Sequence, residues 1–372
     1  MVTAKDASYF PALTGVRAIA AYMVFMHHFN SVFPGRRLGE GVHNFVQELH
    51  VGVTLFFVLS GFLIAYRYFD AEDLSFRNYL VNRVARIYPM YFLVTTLTFL
   101  TYAFTKGNLL AYIFNITFIR GYSDSYKFTG VGQGWSLTVE ETFYFLAPLL
   151  FMLLKRKKYN FILLPAALVL CGMMLVYLFR RISFYGFMDS YSFMFYYTFF
   201  GRCFEFFVGI GLAVLFKKGI VLRGRHFTYL GIIVIAICIY LLSVVKGDYD
   251  LGFKTNWGKV INNLILPLFG ISLFYYGLLT EKTLVSRLLG SKVFVLLGKS
   301  SYVFYLIHGG VIATFLRRFF PANIILFLVL NLLAIILFLL MEKPANNYIR
   351  RKLTRRPGRP LSVLAYCKKT KQ

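Results

Sequence analysis

The first long apolar run of the chain, PALTGVRAIAAYMVFMHHFNSVF, contains one arginine and two histidines, Arg17, His27 and His28. An ionisable side chain inside such a run is costly unless it finds a partner or water, which makes each of the three a functional candidate. Arg17 and His28 are eleven residues apart, close to three helical turns, so they share a face and stand about 16 Å apart along the axis. Because an imidazole exchanges a proton near neutral pH, His28 suits general-base work. His27 points about 100° away, and for it a plain bond to a neighbouring helix is the simpler reading.

Further along, FRNYLVNRVARIYPMYFL places Arg83 and Arg86 at i and i+3 on what reads as an amphipathic helix at the membrane surface. Two guanidiniums on one face can clamp a phosphate through their fork geometry, or simply anchor the protein at the membrane surface. The segment GQGWSLTVEETFYFLAPLL sets Trp135 near an interface and aligns Ser136, Glu140 and Tyr144 at i, i+4 and i+8. A carboxylate such as Glu140 beside a histidine would make an acid–base pair. Arg202 and Glu205 are spaced to neutralise one another. Tyr302, Tyr305 and His308 repeat at i, i+3 and i+6. His308 either lines a site or satisfies a buried carbonyl, and the structural role is favoured.

The elements that carry these residues must cross a membrane. With 58% hydrophobic residues, only 15% charged residues and a mean hydropathy of +0.64, the chain cannot build a water-facing surface. Apolar runs near 11–33, 49–67, 87–105, 135–154, 161–179, 195–216, 227–245, 260–279, 300–319 and 320–341 predict an all-α polytopic integral membrane protein of about ten transmembrane helices. The stretch LLAYIFNITFI at 109–119 is too short to span and is expected to lie at the interface or re-enter.

The net charge of +26 would suggest nucleic acid in a soluble protein. Here the basic residues gather on the side holding Arg67, Arg83, Lys155–Lys158, Lys217 and the end of the chain, so the bilayer is the partner and no nucleic acid is implied. That bias predicts cytoplasmic N- and C-termini. The four cysteines show neither disulfide nor metal-ligand spacing, and no metal site is predicted. The economical division is one transmembrane domain, 1–345, and a basic cytoplasmic tail, 346–372. The start, MVTAKDASYF, is expected to be retained. A transporter would also account for buried Arg17, His28, Arg202 and Glu205, but no inverted repeat or matched pair of broken helices is visible.

Taken in order, FPALTGVRAIAAYMVFMHH, GVTLFFVLSGFLI, RVAR, GWSLTVEETFYF and SYVFYLIH resemble the acyltransferase 3 family of multi-helix membrane O-acyltransferases, from Tyr9 to about Asn347. The resemblance implies transfer of an acyl group, acetyl above all, from cytoplasmic acyl-CoA to a hydroxyl of a cell-envelope carbohydrate or glycolipid at the inner (plasma) membrane. CoA enters as co-substrate, with no permanently bound cofactor. It further implies His28 as the base, Arg17 as its motif partner, Arg83 and Arg86 on the CoA phosphates, and Glu140 as the first glutamate of its motif, orienting the imidazole or offsetting its charge. The match departs where the family often has a proline two residues beyond His308; this chain has Gly309 and Gly310. With no SGNH-type hydrolase domain in view, direct transfer is the expected scheme.

Overall fold

The computed structural model describes residues 9–29, 39–71, 75–102, 109–182, 184–220, 222 and 224–354. Ten main helices follow in chain order: α1 (Pro11–His28), α2 (Gly52–Tyr68), α3 (Phe76–Tyr102), α4 (Trp135–Arg156), α5 (Asn160–Phe179), α6 (Phe199–Lys217), α7 (Phe227–Val245), α8 (Asn256–Thr280), α9 (Lys292–Ile307) and α10 (Asn323–Leu353). Among the described residues no β-strand forms; Ser123 and Phe187 make an isolated bridge. Eight of the ten, counted with their short extensions, are long and apolar enough to cross a bilayer. Helix α9 reaches that length and hydropathy only together with Val311–Phe319, which turns away from it by 93°. The remaining helix, α1, has 18 residues, or about 27 Å of rise. The protein is therefore an all-α polytopic membrane protein.

Lipid-facing and core-facing sides separate as the hydropathy predicts. The outward faces of α5, α7 and α10 leave residues such as Leu170, Ile233 and Leu332 exposed, where lipid tails replace water. Inside, α1 packs against α9 and α2, and α2 packs along α6. Small residues permit the closest approaches. A Cβ on Gly209 would lie 2.1 Å from the Val58 carbonyl oxygen, and one on Gly61 would lie 2.3 Å from that of Phe206, so the α2–α6 backbones touch where neither helix has a side chain.

Two expectations need correction. The helix bearing Arg83 and Arg86 is not a separate surface element, because α3 runs unbroken for 27 residues and Arg83 is buried within the bundle. The span placed at 300–319 is two helices, broken at Gly309–Gly310; Gly310 has φ +76°, a conformation open chiefly to glycine. Helix α10 continues past residue 345 to Leu353, and residues 355–372 of the tail lie outside the described residues. Leu109–Ile116 forms a helix of 8 residues, too short to cross a bilayer.

The glycine contacts give a paired test. Gly209→Ala should destabilise the protein by about 1–3 kcal/mol through overpacking against backbone. Gly211→Ala, on the same helix with its nearest neighbour at 4.0 Å, should be neutral or mildly stabilising. Thermal unfolding in one detergent, compared across both variants, measures the difference.

Candidate active site

Site geometry begins at the end of α9. In a continuous helix the Tyr305 carbonyl would accept the N–H of Gly309, but the helix stops at Ile307 and leaves that oxygen available. Two side chains take it: His308 donates from Nδ1 at 2.8 Å and Gln133 from Nε2 at 2.8 Å, the same Gln133 amide also reaching the Leu306 carbonyl at 3.0 Å. A carbonyl only accepts, so the His308 proton sits on Nδ1 and, in the neutral ring, Nε2 is an acceptor. That Nε2 lies 2.9 Å from Nδ1 of His28. With both rings neutral, His28 must carry its own proton on Nδ1, which leaves its Nε2 bare. The chain of bonds thus selects the tautomer in which His28 can accept a proton.

The bare nitrogen belongs to a ring that lines a cavity of about 600 Å³, together with His27, His50, Trp135, Tyr197 and Arg202. His28 keeps accessible surface toward this space, whereas His308 behind it is fully buried. His27 is pinned by its Nδ1 to the Gln47 carbonyl at 2.5 Å. Neither ring nitrogen of His50 has a hydrogen-bond partner among the described residues. Arg202 is held by Glu205 through two bonds of 2.8 and 2.6 Å, with a third to Thr54 at 3.0 Å and its guanidinium over the Phe57 ring. The pair expected to neutralise itself does so.

A second cavity, about 730 Å³, holds Arg17, Arg83, Arg86, Ser136, Glu140 and Tyr144. Among the described residues none of the three arginines has an ion-pair partner, and Glu140 is the one carboxylate in the lining. Arg83 lies over the rings of Tyr68 and Tyr144 at 5.8 and 5.7 Å, with Nε unpaired. Glu140 accepts hydrogen bonds from the hydroxyls of Ser60 and Tyr144. Three guanidiniums and one carboxylate make the lining itself cationic and suited to phosphate oxygens, with Glu141 and Glu342 behind it in electrostatic range of Arg83 and Arg86.

Val53 and Tyr305 line both cavities and form the wall between them. The Tyr305 hydroxyl is fixed by Ser136 Oγ at 2.8 Å and by the Gln133 carbonyl at 3.2 Å. Helix α1 runs past this wall, with Arg17 in one cavity and His28 in the other, as the three-turn spacing requires. The same wall separates Trp135 from Glu140 on α4, since five residues advance a helix by about 7.5 Å and turn it by about 140°.

The structure therefore does not pair Glu140 with His28: the imidazole bonds His308, while Glu140 sits with the arginines. His308, favoured as a structural residue, does satisfy a buried carbonyl and through that bond also orients His28. Ser136 and Tyr144 do share the Glu140 stripe. Four contributors were missed: Ser60, His50, Gln133 and the fully buried Arg120. Arg120 donates to Asn115 Oδ1 at 2.6 Å, to the Thr129 carbonyl and to the Val131 carbonyl at 2.6 Å, tying down the loop that delivers Gln133 and Trp135. An arginine directly after the apolar stretch LLAYIFNITFI was the available signal.

Comparison with known proteins matches residues 10–343 to a family model described as an acyltransferase domain. The chain belongs to the acyltransferase 3 family. Among relatives, the O-acetyltransferase OatA of Staphylococcus aureus (strain NCTC 8325 / PS 47) is 26% identical over 328 residues, covering 81% of this chain and 50% of that protein. A Staphylococcus aureus (strain COL) protein named "Putative O-acetyltransferase" is 25% identical over 336 residues, 83% of this chain and 52% of its own. One from Bacillus subtilis (strain 168), named "Putative peptidoglycan O-acetyltransferase YrhL", is 28% identical over 186 residues, 44% of this chain and 27% of its own. The chain spans about half the length of the first of these curated relatives. No solved structure matches it.

The tautomer assignment is open to direct observation. In ring-15N-labelled protein, solid-state NMR should show His28 with Nδ1 protonated and Nε2 unprotonated, and His308→Ala should spread His28 over both tautomers. A wild-type His28 protonated at Nε2 would reverse the assignment.

Proposed function

We propose that the protein is a membrane O-acyltransferase that moves an acyl group, acetyl in the leading case, from acyl-CoA to a hydroxyl of a cell-envelope carbohydrate or glycolipid. The observation that carries this reading is the pair of cavities meeting at Tyr305 and Val53, one presenting three guanidiniums that make no ion pair among the described residues and the other the acceptor nitrogen of His28. A thioester donor with phosphates at one end and a reactive carbonyl at the other fits the first. An aromatic-walled space with Phe128, Trp135, Tyr196, Tyr197 and Phe253 fits the apolar faces and hydroxyl edges of a sugar. The names of the relatives point the same way.

In the proposed reaction the CoA phosphates rest on Arg83 and Arg86, and the pantetheine arm extends past Arg17 toward the wall. The acceptor hydroxyl lies against His28. As its oxygen attacks the thioester carbonyl, Nε2 of His28 takes the proton; the new C–O bond forms, the C–S bond breaks, and the imidazolium returns the proton to the departing sulfur. His308 accepts the Nδ1–H bond throughout and keeps the ring in place. Glu140, fixed by Ser60 and Tyr144, moderates the positive potential around the donor. The basic bias of the Arg83 side favours a cytoplasmic donor in a plasma membrane.

Kinetics separate these roles. His28→Ala should lower kcat by about a hundredfold or more, while His27→Ala retains substantial activity. Arg83→Ala or Arg86→Ala should raise the donor KM with a smaller change in kcat. Glu140→Gln should lower the donor KM, because the cavity becomes more positive. A collapse of kcat in Glu140→Gln at unchanged KM would return that carboxylate to the imidazole and overturn the division of labour.

A further inference from the structure

Away from the candidate site, two cavities of opposite character adjoin on α8. The larger, about 1220 Å³, is a groove between α5, α6 and α8 whose walls include Phe161, Phe207, Leu212, Leu268 and Leu273. Its two hydroxyls are already engaged: Ser272 donates to the Leu268 carbonyl, and Tyr276 accepts the N–H of Leu222 at 2.8 Å. On α6 the lining runs from Phe204 to Leu215, about 16 Å of rise, the scale of most of a lipid acyl chain. Ile162, Leu215 and Leu268 on its rim are exposed, so the groove opens sideways to the bilayer.

The second cavity, about 810 Å³, is lined by Leu222 and Gly224–Phe227 on one side and by the end of α8 on the other, and Leu222 and Tyr276 line both cavities. Its ionisable groups are Arg225, His226, Glu281 and Lys282. Glu281 is spent on the start of α7, accepting from the N–H groups of Phe227 and Thr228 at 2.7 and 2.9 Å and from the Thr228 hydroxyl at 2.6 Å. Among the described residues, neither Arg225 nor Lys282 has an ion-pair partner. An apolar groove therefore continues into a polar pocket whose two permanent cations, unpaired among the described residues, outnumber its one carboxylate. Lys217, at the end of α6, pairs with Asp70 beyond the end of α2 at 2.5 Å, which puts this pocket on the same side of the membrane as Arg83.

We propose that an anionic phospholipid from that leaflet occupies the two cavities as one site, an acyl chain in the groove and the headgroup phosphate on Arg225 and Lys282. Apolar area holds the chain, and each phosphate–cation contact adds to the affinity. The site is remote from the acyl-transfer residues and does not depend on their assignment.

The test uses the full chain in detergent with added phosphatidylglycerol, phosphatidylcholine or inorganic phosphate, read by native mass spectrometry and thermal unfolding. Wild type should retain phosphatidylglycerol at least tenfold better than phosphatidylcholine and unfold several degrees higher with it, while inorganic phosphate alone gives no shift. Arg225→Glu combined with Lys282→Glu should remove the preference for the anionic lipid. Gly211→Trp, built where a Cβ meets nothing nearer than 4.0 Å, should fill the groove and lower retention of both lipids; if it fails to fold, the charge variant still decides. Equal retention of the two lipids by wild type, a shift reproduced by phosphate alone, or undiminished preference in the charge variant would each overturn the proposal.

Discussion

The 2.9 Å bond between His28 and His308 is the constraint around which the rest of the bundle is arranged. It has a direction only because His308 spends its other nitrogen on the Tyr305 carbonyl, and that carbonyl is available only because α9 ends at Ile307. The Gly309–Gly310 break is therefore the feature that sets the tautomer of a histidine on a different helix. Gln133 shares the same oxygen, so the loop held by Arg120 is tied to this point as well. Close packing of α1 on α9 keeps the two imidazoles in register.

Charge is segregated to match. Arg202 and Glu205 cancel one another near the histidines, leaving that cavity aromatic and nearly neutral. Across the wall Arg17, Arg83 and Arg86 outnumber Glu140, the one carboxylate of that lining. In a low-dielectric bundle such an arrangement persists only where an anion or water completes it. The proposed transfer between a polyanionic donor and a neutral acceptor calls for this division, and Tyr305 and Val53 stand at the boundary.

Much of this was legible in the sequence, for reasons of geometry. Hydropathy located the spans because the bilayer imposes their length, and the eleven-residue spacing from Arg17 to His28 predicted a shared face that the structure retains. The Ser136, Glu140, Tyr144 stripe was equally a matter of helical period. What stayed hidden depends on pairing between helices. Glu140 was assigned to His28 because both are ionisable and both are intramembrane, yet depth along α4 places Trp135, not Glu140, at the level of the histidine. Ser60 is one of two hydroxyl residues in GVTLFFVLSGFLI, with Thr54, and hydrophobic helices carry such residues at little cost, so nothing marked it. The bend after His308 was read as a departure in motif, although paired glycines at that position are also a structural signal.

In the proposed reaction the donor enters through the arginine cavity and presents its carbonyl to His28 across the wall formed by Tyr305 and Val53. A cryo-EM structure with a non-hydrolysable acyl-CoA analogue tests this most directly. The account predicts phosphate density on Arg83 and Arg86, the acyl carbonyl at the Tyr305–Val53 boundary, and room for a hydroxyl oxygen about 3–3.5 Å from both that carbon and Nε2 of His28. Phosphates bound instead among His27, His50 and Arg202, with the arginine cavity empty, would contradict it.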